Sequence, residues 1–222
     1  MWCIPKLTPE FKERMEDLLD LYAMAYDPEE PVICLDEKSK QLLADSRPSL
    51  PTARGRRAIQ DYEYVRKGTA NIFVAVQPLA GKRITQVTKR RTKVDYALFV
   101  EQILLSYPKA RTIHMVQDNL NTHFLASLIV AFGTRKAKRL WKRMAVHYTP
   151  KHASWLNMAE IEINALSTQC LDRRIASIED LHYEVQACTK RRNDDRNRIT
   201  WTYTREKAKK TFPQLYLNEL NG

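Results

Sequence analysis

The alternation of apolar and polar positions divides the chain into a series of elements. From Thr8 to Tyr26, the residues Phe11, Met15, Leu18, Leu19, Tyr22 and Met24 recur at helical spacing. Thr8 is placed to cap the first turn, and Glu10 suits the positive end of the helix dipole. Pro28 and Pro31 stop this helix, because proline offers no backbone N–H to continue the ladder. Val32-Ile33-Cys34-Leu35 is a continuous apolar run, which predicts a buried strand ending in Asp36 and Glu37. The stretch from Ser39 to Thr69 is polar, basic and proline-containing, and it predicts a long loop with little regular structure before Tyr62. Asn71 to Gln77 reads as a strand, Pro78 to Gly81 as a turn, and Arg83 to Thr88 as the next strand, with period-two alternation. A helix over Lys93 to Leu105 follows Thr92 as its cap, and Thr112 to Gln117 is a further strand ending at Asp118. The remaining pattern predicts a helix from Ala126 to Met144 broken near Gly133, and a short strand from Ala145 to Thr149. Two more helices follow, from Ser154 to about Leu171 and from Ile178 to Asn197.

Early hairpin strands followed by alternating strands and helices imply an α/β fold, a mixed β-sheet flanked by helices with a helical C-terminal extension. The expected organisation is an N-terminal helix over 1–31, a core over 32–175 and a basic helical extension over 176–222. With 222 residues and 44% apolar composition, the chain can bury a core without covalent staples. Cys3, Cys34, Cys170 and Cys188 show no C-x-x-C spacing, so they read as reduced thiols rather than a zinc site or disulfide framework. No apolar run approaches the ~20 residues that span a bilayer, and the first residues do not form a signal peptide. A cytoplasmic protein without membrane partners is expected.

Charge changes the picture. Lys and Arg number 37 against 26 Asp and Glu, a net charge of +11. A surplus of this kind suits a polyanion, since Lys and Arg release the counterions condensed on nucleic acid. Four basic stretches, Arg54 to Arg57, Lys89 to Lys93, Arg135 to Arg143 and Lys190 to Arg198, are candidate phosphate-contact surfaces, or else solvated faces. Against this background three acids stand out. Asp36 and Asp118 each follow an apolar strand, and Glu160 lies early in a helix that follows a third strand. Acids at strand ends can converge on one edge of an α/β sheet, where ligands of such sheets bind. Carboxylates are the donors that hard divalent ions prefer, and two ions ~3.5–4 Å apart can clamp an in-line displacement at phosphorus.

Three segments carry a resemblance. Cys34-Leu35-Asp36-Glu37-Lys38, Val116-Gln117-Asp118-Asn119-Leu120-Asn121-Thr122-His123 and Tyr148-Thr149-Pro150-Lys151-His152-Ala153-Ser154-Trp155-Leu156-Asn157-Met158-Ala159-Glu160 resemble the three acidic motifs of IS630-family transposases. The second resembles that family's Q-D-N-x-x-x-H block. The third resembles the L-N-x-x-E block shared with Tc1/mariner elements. The likeness runs from Trp2 to about Ile175. It implies an RNase H-like fold and a catalytic, metal-holding triad of Asp36, Asp118 and Glu160, with Mg²⁺ or Mn²⁺ as cofactor, bound as two ions. The implied activity is phosphodiester hydrolysis and strand transfer on double-stranded DNA at element ends, with a TA target and a homodimer on DNA. A DNA nuclease or resolvase that cuts without joining, or a silent DNA-binding remnant, is the alternative. Asp118 and Glu160 are 42 positions apart, more than in the best-known Tc1/mariner members, and the extra length falls at Arg135 to Arg139. Relatives carry helix-turn-helix modules ahead of this domain, so a separate N-terminal module is an expected partner.

Neighbouring residues divide between roles. Glu162 lies about 200° round the helix from Glu160 at ~3.6 residues per turn, and reads as a structural or exposed acid. Glu37 is expected to point away from Asp36, because strand side chains alternate. Asn119 suits a metal-bound water, a phosphate or a turn. His123 suits DNA, the shell of the active site, or a backbone-satisfied helix start. Lys151, His152 and Asn157 are placed to neutralise DNA phosphate, as are Arg54, Arg56 and Arg57. Trp155 reads as core packing.

Overall fold

The computed structural model describes residues 7–48, 52–57 and 61–217. Cys3 and the start of the chain lie outside them. Among the described residues, five strands form one sheet in the order β3-β2-β1-β4-β5. The strands are β1 (Val32–Asp45), β2 (Tyr64–Gln77), β3 (Lys82–Thr88), β4 (Ile113–Gln117) and β5 (Met144–Tyr148). β1, β2 and β3 pair antiparallel, while β1–β4 and β4–β5 are parallel. The helices are α1 (Pro9–Ala23), α2 (Lys93–Ser106), α3 (Leu125–Trp141), α4 (Ala159–Gln169), α5 (Ile178–Asp194) and α6 (Arg205–Thr211). This is the mixed sheet flanked by helices that the pattern implies.

Period-two alternation along β1 sorts side chains onto two cores. Ile33 and Leu35 join Phe73, Tyr96, Phe99 and Met115 beneath α2 and α3. Cys34 faces the other way, with Val116, α1 residues Met15 and Leu18, and Leu156. A third cluster packs α4 and α5 on the outer half of the hairpin through Ile163, Leu166, Leu181 and Val185 against Leu42, Ile72 and Val74. Local signals act as the sequence suggests. The Thr8 hydroxyl accepts from Phe11 N–H at the start of α1, and Thr92 and Asp95 form a reciprocal cap on α2. Gly133 breaks α3 with a positive φ of 75°, which a residue without Cβ adopts freely.

Two expectations are corrected. The stretch from Ser39 to Thr69 is not a loop throughout. β1 runs on to Asp45 and pairs antiparallel with β2 as far as Asp45↔Tyr64, with a bulge between Leu42 and Leu43. Leu42 packs on α4 and α5, but the outer half of the ribbon shows no sustained alternation of apolar and polar residues, so ladder hydrogen bonds rather than an apolar stripe define the strands. The helix placed at Ser154 begins later: Ser154–Leu156 is a short 3-10 turn, and α4 starts at Ala159.

Behind α4 lies a buried charge cluster. Glu162 accepts from Arg192 through Nε at 2.6 Å on Oε1 and Nη2 at 3.0 Å on Oε2, and Arg83 Nε stands 2.9 Å from Oε2. Arg83 also donates to the Gly81 and Asn197 carbonyls, and Asn193 brackets the Arg83 backbone with hydrogen bonds to its N–H and carbonyl. Glu162 is therefore a structural acid that ties α4 to β3 and α5. Removing one partner of a buried ion pair leaves uncompensated charge, at a cost of about 3–5 kcal/mol. Glu162→Ala, which strands two guanidinium groups, is expected to lower the unfolding free energy by that amount in urea titrations.

Candidate active site

The site forms where the parallel ladder ends. The last parallel pair of β1 and β4 is Cys34↔Val116. Asp36 and Asp118 each lie two residues further on, so both side chains emerge in the same phase on the same face. Glu160 is brought to them from α4. Its placement depends on Asn157, which is 1% exposed. The Asn157 amide donates to the Leu35 carbonyl at 2.9 Å and stands 3.4 Å from Asp36 Oδ2, while its oxygen accepts from Ala159 N–H at 3.1 Å. One side chain thus clips the first turn of α4 to β1 beside Asp36, which gives the L-N-x-x-E spacing a physical cause.

The carboxylates feel one another. Burial, followed by the charges of Glu160, Glu37 and Asp118, pushes Asp36 up to about 7, against the pull of the Glu37 N–H that Asp36 Oδ1 accepts at 2.8 Å. Asp118 goes the other way. Burial raises it, but the His123 imidazole, the Leu120 N–H and the charge of Arg91 hold it below the usual carboxylate value. Among the described residues no three His, Cys, Asp or Glu side chains close on a common point. Asp118 is instead turned onto His123, with Oδ1 2.6 Å from Nδ1. The donor set itself, three oxygen-bearing acids whose mutual repulsion a cation relieves, suits a hard divalent ion.

His123 is fully buried and links two acids, since its Nε2 lies 2.7 Å from Glu37 Oε1. Burial lowers its basicity, but the hydrogen bonds and charges of Asp118 and Glu37 outweigh this and push it up to about 9. Glu37 extends from the strand face opposite Asp36, as alternation requires, yet it does not leave the site: it returns to it through His123. Sequence reasoning missed this pairing, since nothing in the spacing of residues 37 and 123 links them. Of the readings open to His123, the shell of the acids is the one its buried contacts fit. Asn157, placed by the sequence to meet DNA phosphate, is buried and spent on internal hydrogen bonds.

A cleft of about 1120 Å³ adjoins Asp118 and is lined by Asn119, Lys151, His152, Ser154, Glu10 and Arg14. Asn119, Lys151 and His152 are exposed there, and His152 holds a left-handed backbone with φ 62°, a strained state for a side chain of this size. Arg54, Arg56 and Arg57 sit apart in a small exposed turn closed by the Ala53–Arg56 bridge, and the structure does not join them to the acids. Trp155 is not core: it is 41% exposed and meets Tyr203 edge-on at 5.2 Å.

A mixed five-stranded sheet flanked by helices, with two in-phase aspartates where β1 and β4 stop pairing and a glutamate on α4, has the RNase H-like fold. The particular family is shown by a family model for DDE superfamily endonucleases, which matches residues 31–182; the chain belongs to that family. A search of curated proteins found no match. Among solved structures, the chain is similar to the Mos1 mariner paired end complex with Mn, at 14% identity and TM-score 0.58, covering 99% of this chain and 65% of that one. It is also similar to the Mos1 strand transfer complex, at 13% identity, TM-score 0.51 and coverage of 90% and 65%. The paired end complex with Mg matches at 13% identity and TM-score 0.50, with coverage of 90% and 65%. These likenesses support the fold. The chain spans about two thirds of the length of those relatives.

Asn157→Ala is expected to leave the buried Leu35 carbonyl without its donor. The cost is about 1–3 kcal/mol of stability, read from the midpoint of denaturant unfolding.

Proposed function

We propose that this chain is the catalytic domain of a DNA transposase of the Tc1/mariner type, IS630-like in its motifs. Its reaction is hydrolysis of phosphodiesters at element ends and joining of the freed 3′-hydroxyls to target DNA. The observation that carries this reading is the in-phase emergence of Asp36 and Asp118 past the last parallel pair, with Glu160 clipped beside them. The all-oxygen donor set and the upward push on Asp36 support Mg²⁺ or Mn²⁺ as the cofactor, as do neighbours solved with Mn and with Mg.

Asp36, Asp118 and Glu160 would hold the ions. Bound as a pair, these supply a polarised attacking oxygen and a stabilised leaving oxygen. The chain's own side chains do the rest. Lys151 and His152, with Arg14 also lining the cleft, hold the phosphate backbone beside Asp118, and Arg91 adds positive charge at the same acid. Contacts of this kind fix the position of a duplex without reading its sequence, so the choice of element ends falls to a separate helix-turn-helix module. The reading extends to a TA target, a homodimer on DNA and action in the cytoplasm, where bacterial DNA lies. Among the described residues no helix is long and apolar enough to cross a membrane.

Strand transfer tests the proposal. A pre-cleaved DNA end and a supercoiled target incubated with the protein and Mn²⁺ are expected to give joined product, and Asp118→Ala is expected to lower its yield at least ~100-fold. Cleavage without joining would favour a nuclease. Equal product from Asp118→Ala would remove Asp118 from the chemistry.

A further inference from the structure

We propose that Glu37 and His123 form a buried clamp that sets the position of the Asp118 carboxylate for the metal ions. Both are positioning residues rather than catalytic ones. The inference rests on the metal-dependent reading above and deepens it.

The backbone ladder between β1 and β4 stops at Cys34 and Val116. Beyond that point β1 continues on its pairing with β2, and no β1–β4 main-chain pairing holds Asp36 and Asp118 to each other, yet the two must keep a fixed separation to share ions. Side chains take over the task. Glu37, adjacent to Asp36 on β1, reaches His123 Nε2 at 2.7 Å, and His123 Nδ1 reaches Asp118 Oδ1 at 2.6 Å. The chain of contacts therefore spans the gap from one catalytic strand to the other.

The middle member is fixed on every side. His123 stacks on Tyr96 with ring centroids 4.7 Å apart. Its carbonyl accepts from Gln117 Nε2 at 3.1 Å and from the Tyr148 hydroxyl at 2.9 Å, and Tyr96 in turn donates to Gln117 Oε1 at 2.9 Å. Glu37 is 2% exposed and His123 0%, whereas the Asp118 side chain is 41% exposed. A rigid, dry pair thus grips a carboxylate that would otherwise turn freely in a loop. Both side-chain contacts to Asp118, from His123 and from Leu120 N–H at 3.3 Å, fall on Oδ1. That leaves Oδ2 as the oxygen for the cleft.

Stability alone is a poor reason for such a pair, because apolar residues of similar volume commonly replace a buried ion pair at no loss. Orienting a ligand is a better one: groups that hydrogen-bond a metal-ligating carboxylate typically contribute 10–100-fold to metal affinity or activity.

The double variant Glu37→Leu/His123→Phe separates the two roles. It removes both charges together and keeps an aromatic ring against Tyr96, so it is expected to melt within a few degrees of the wild type. Its Mn²⁺ affinity, measured without DNA from the paramagnetic resonance of free Mn²⁺, is expected to fall about 10–100-fold. Mn²⁺-dependent nicking of supercoiled plasmid should fall in parallel. Wild-type affinity in a double variant of wild-type stability would overturn the clamp. If the double variant does not fold, Glu37→Gln, which keeps an acceptor for His123 without the charge, is expected to weaken Mn²⁺ binding several-fold, and unchanged binding would again overturn the proposal. Wild-type protein that binds no Mn²⁺ at all would overturn the metal-centre reading and the clamp together. Wild-type binding that is lost in Asp118→Ala but kept in the double variant would overturn the clamp alone.

Discussion

The parallel ladder between β1 and β4 ends at Cys34 and Val116, and that end point fixes the site. Because paired residues on parallel strands share a face, any two positions an equal, even number of residues beyond the last pair emerge together. Asp36 and Asp118 meet that condition. A slip of one residue in either strand would turn one aspartate into the core beneath α2, so the apolar partners of the two strands hold the acids in place indirectly. Cys34 and Val116 bind one face, and Ile33, Leu35 and Met115 bind the other. Packing thus sets the register, and the register sets the chemistry.

Gathering acids at a strand end creates a repulsion that the rest of the molecule has to manage. The response differs from acid to acid. Asp36 is left near its neighbours and pushed up to about 7. Asp118 is held down by His123 and by the charge of Arg91. Glu162, two residues from Glu160, is buried behind α4 between Arg83 and Arg192, away from the cleft. The same helix therefore carries one acid of the proposed site and one for anchorage, separated by the turn of the helix.

The sequence made the site acids readable for a physical reason. Asp36 and Asp118 each follow a short apolar run, and a charge at the end of a buried run is visible in any hydrophobicity pattern. Asn157 and Glu160 were legible as a motif, but the reason for their spacing, a clip from the helix start to the Leu35 carbonyl, required the fold. Glu37 reads in the sequence as a neighbour pointing away from Asp36, and His123 as a candidate for DNA, the shell of the site or a helix start. Their pairing spans 86 positions, and no periodicity encodes a contact between a strand and a turn so far apart. The outer half of the β1–β2 hairpin was hidden for a related cause: its residues show no sustained stripe, and its strands exist through a backbone ladder that side-chain patterns do not report. Trp155 misled because aromatic size suggests burial, whereas its indole lies across Tyr203 at the surface.

The central claim is that Asp36, Asp118 and Glu160 serve one metal centre. Iron-directed cleavage of the polypeptide tests it most directly. Fe²⁺ substituted for the native ion, with ascorbate and peroxide, generates radicals that cut the backbone within a few ångströms of where it binds. Convergence predicts three sets of fragments, ending near residues 36, 118 and 160, all suppressed together by excess Mg²⁺. Cuts at one of these segments without the others, or at sites elsewhere that Mg²⁺ does not suppress, would contradict it.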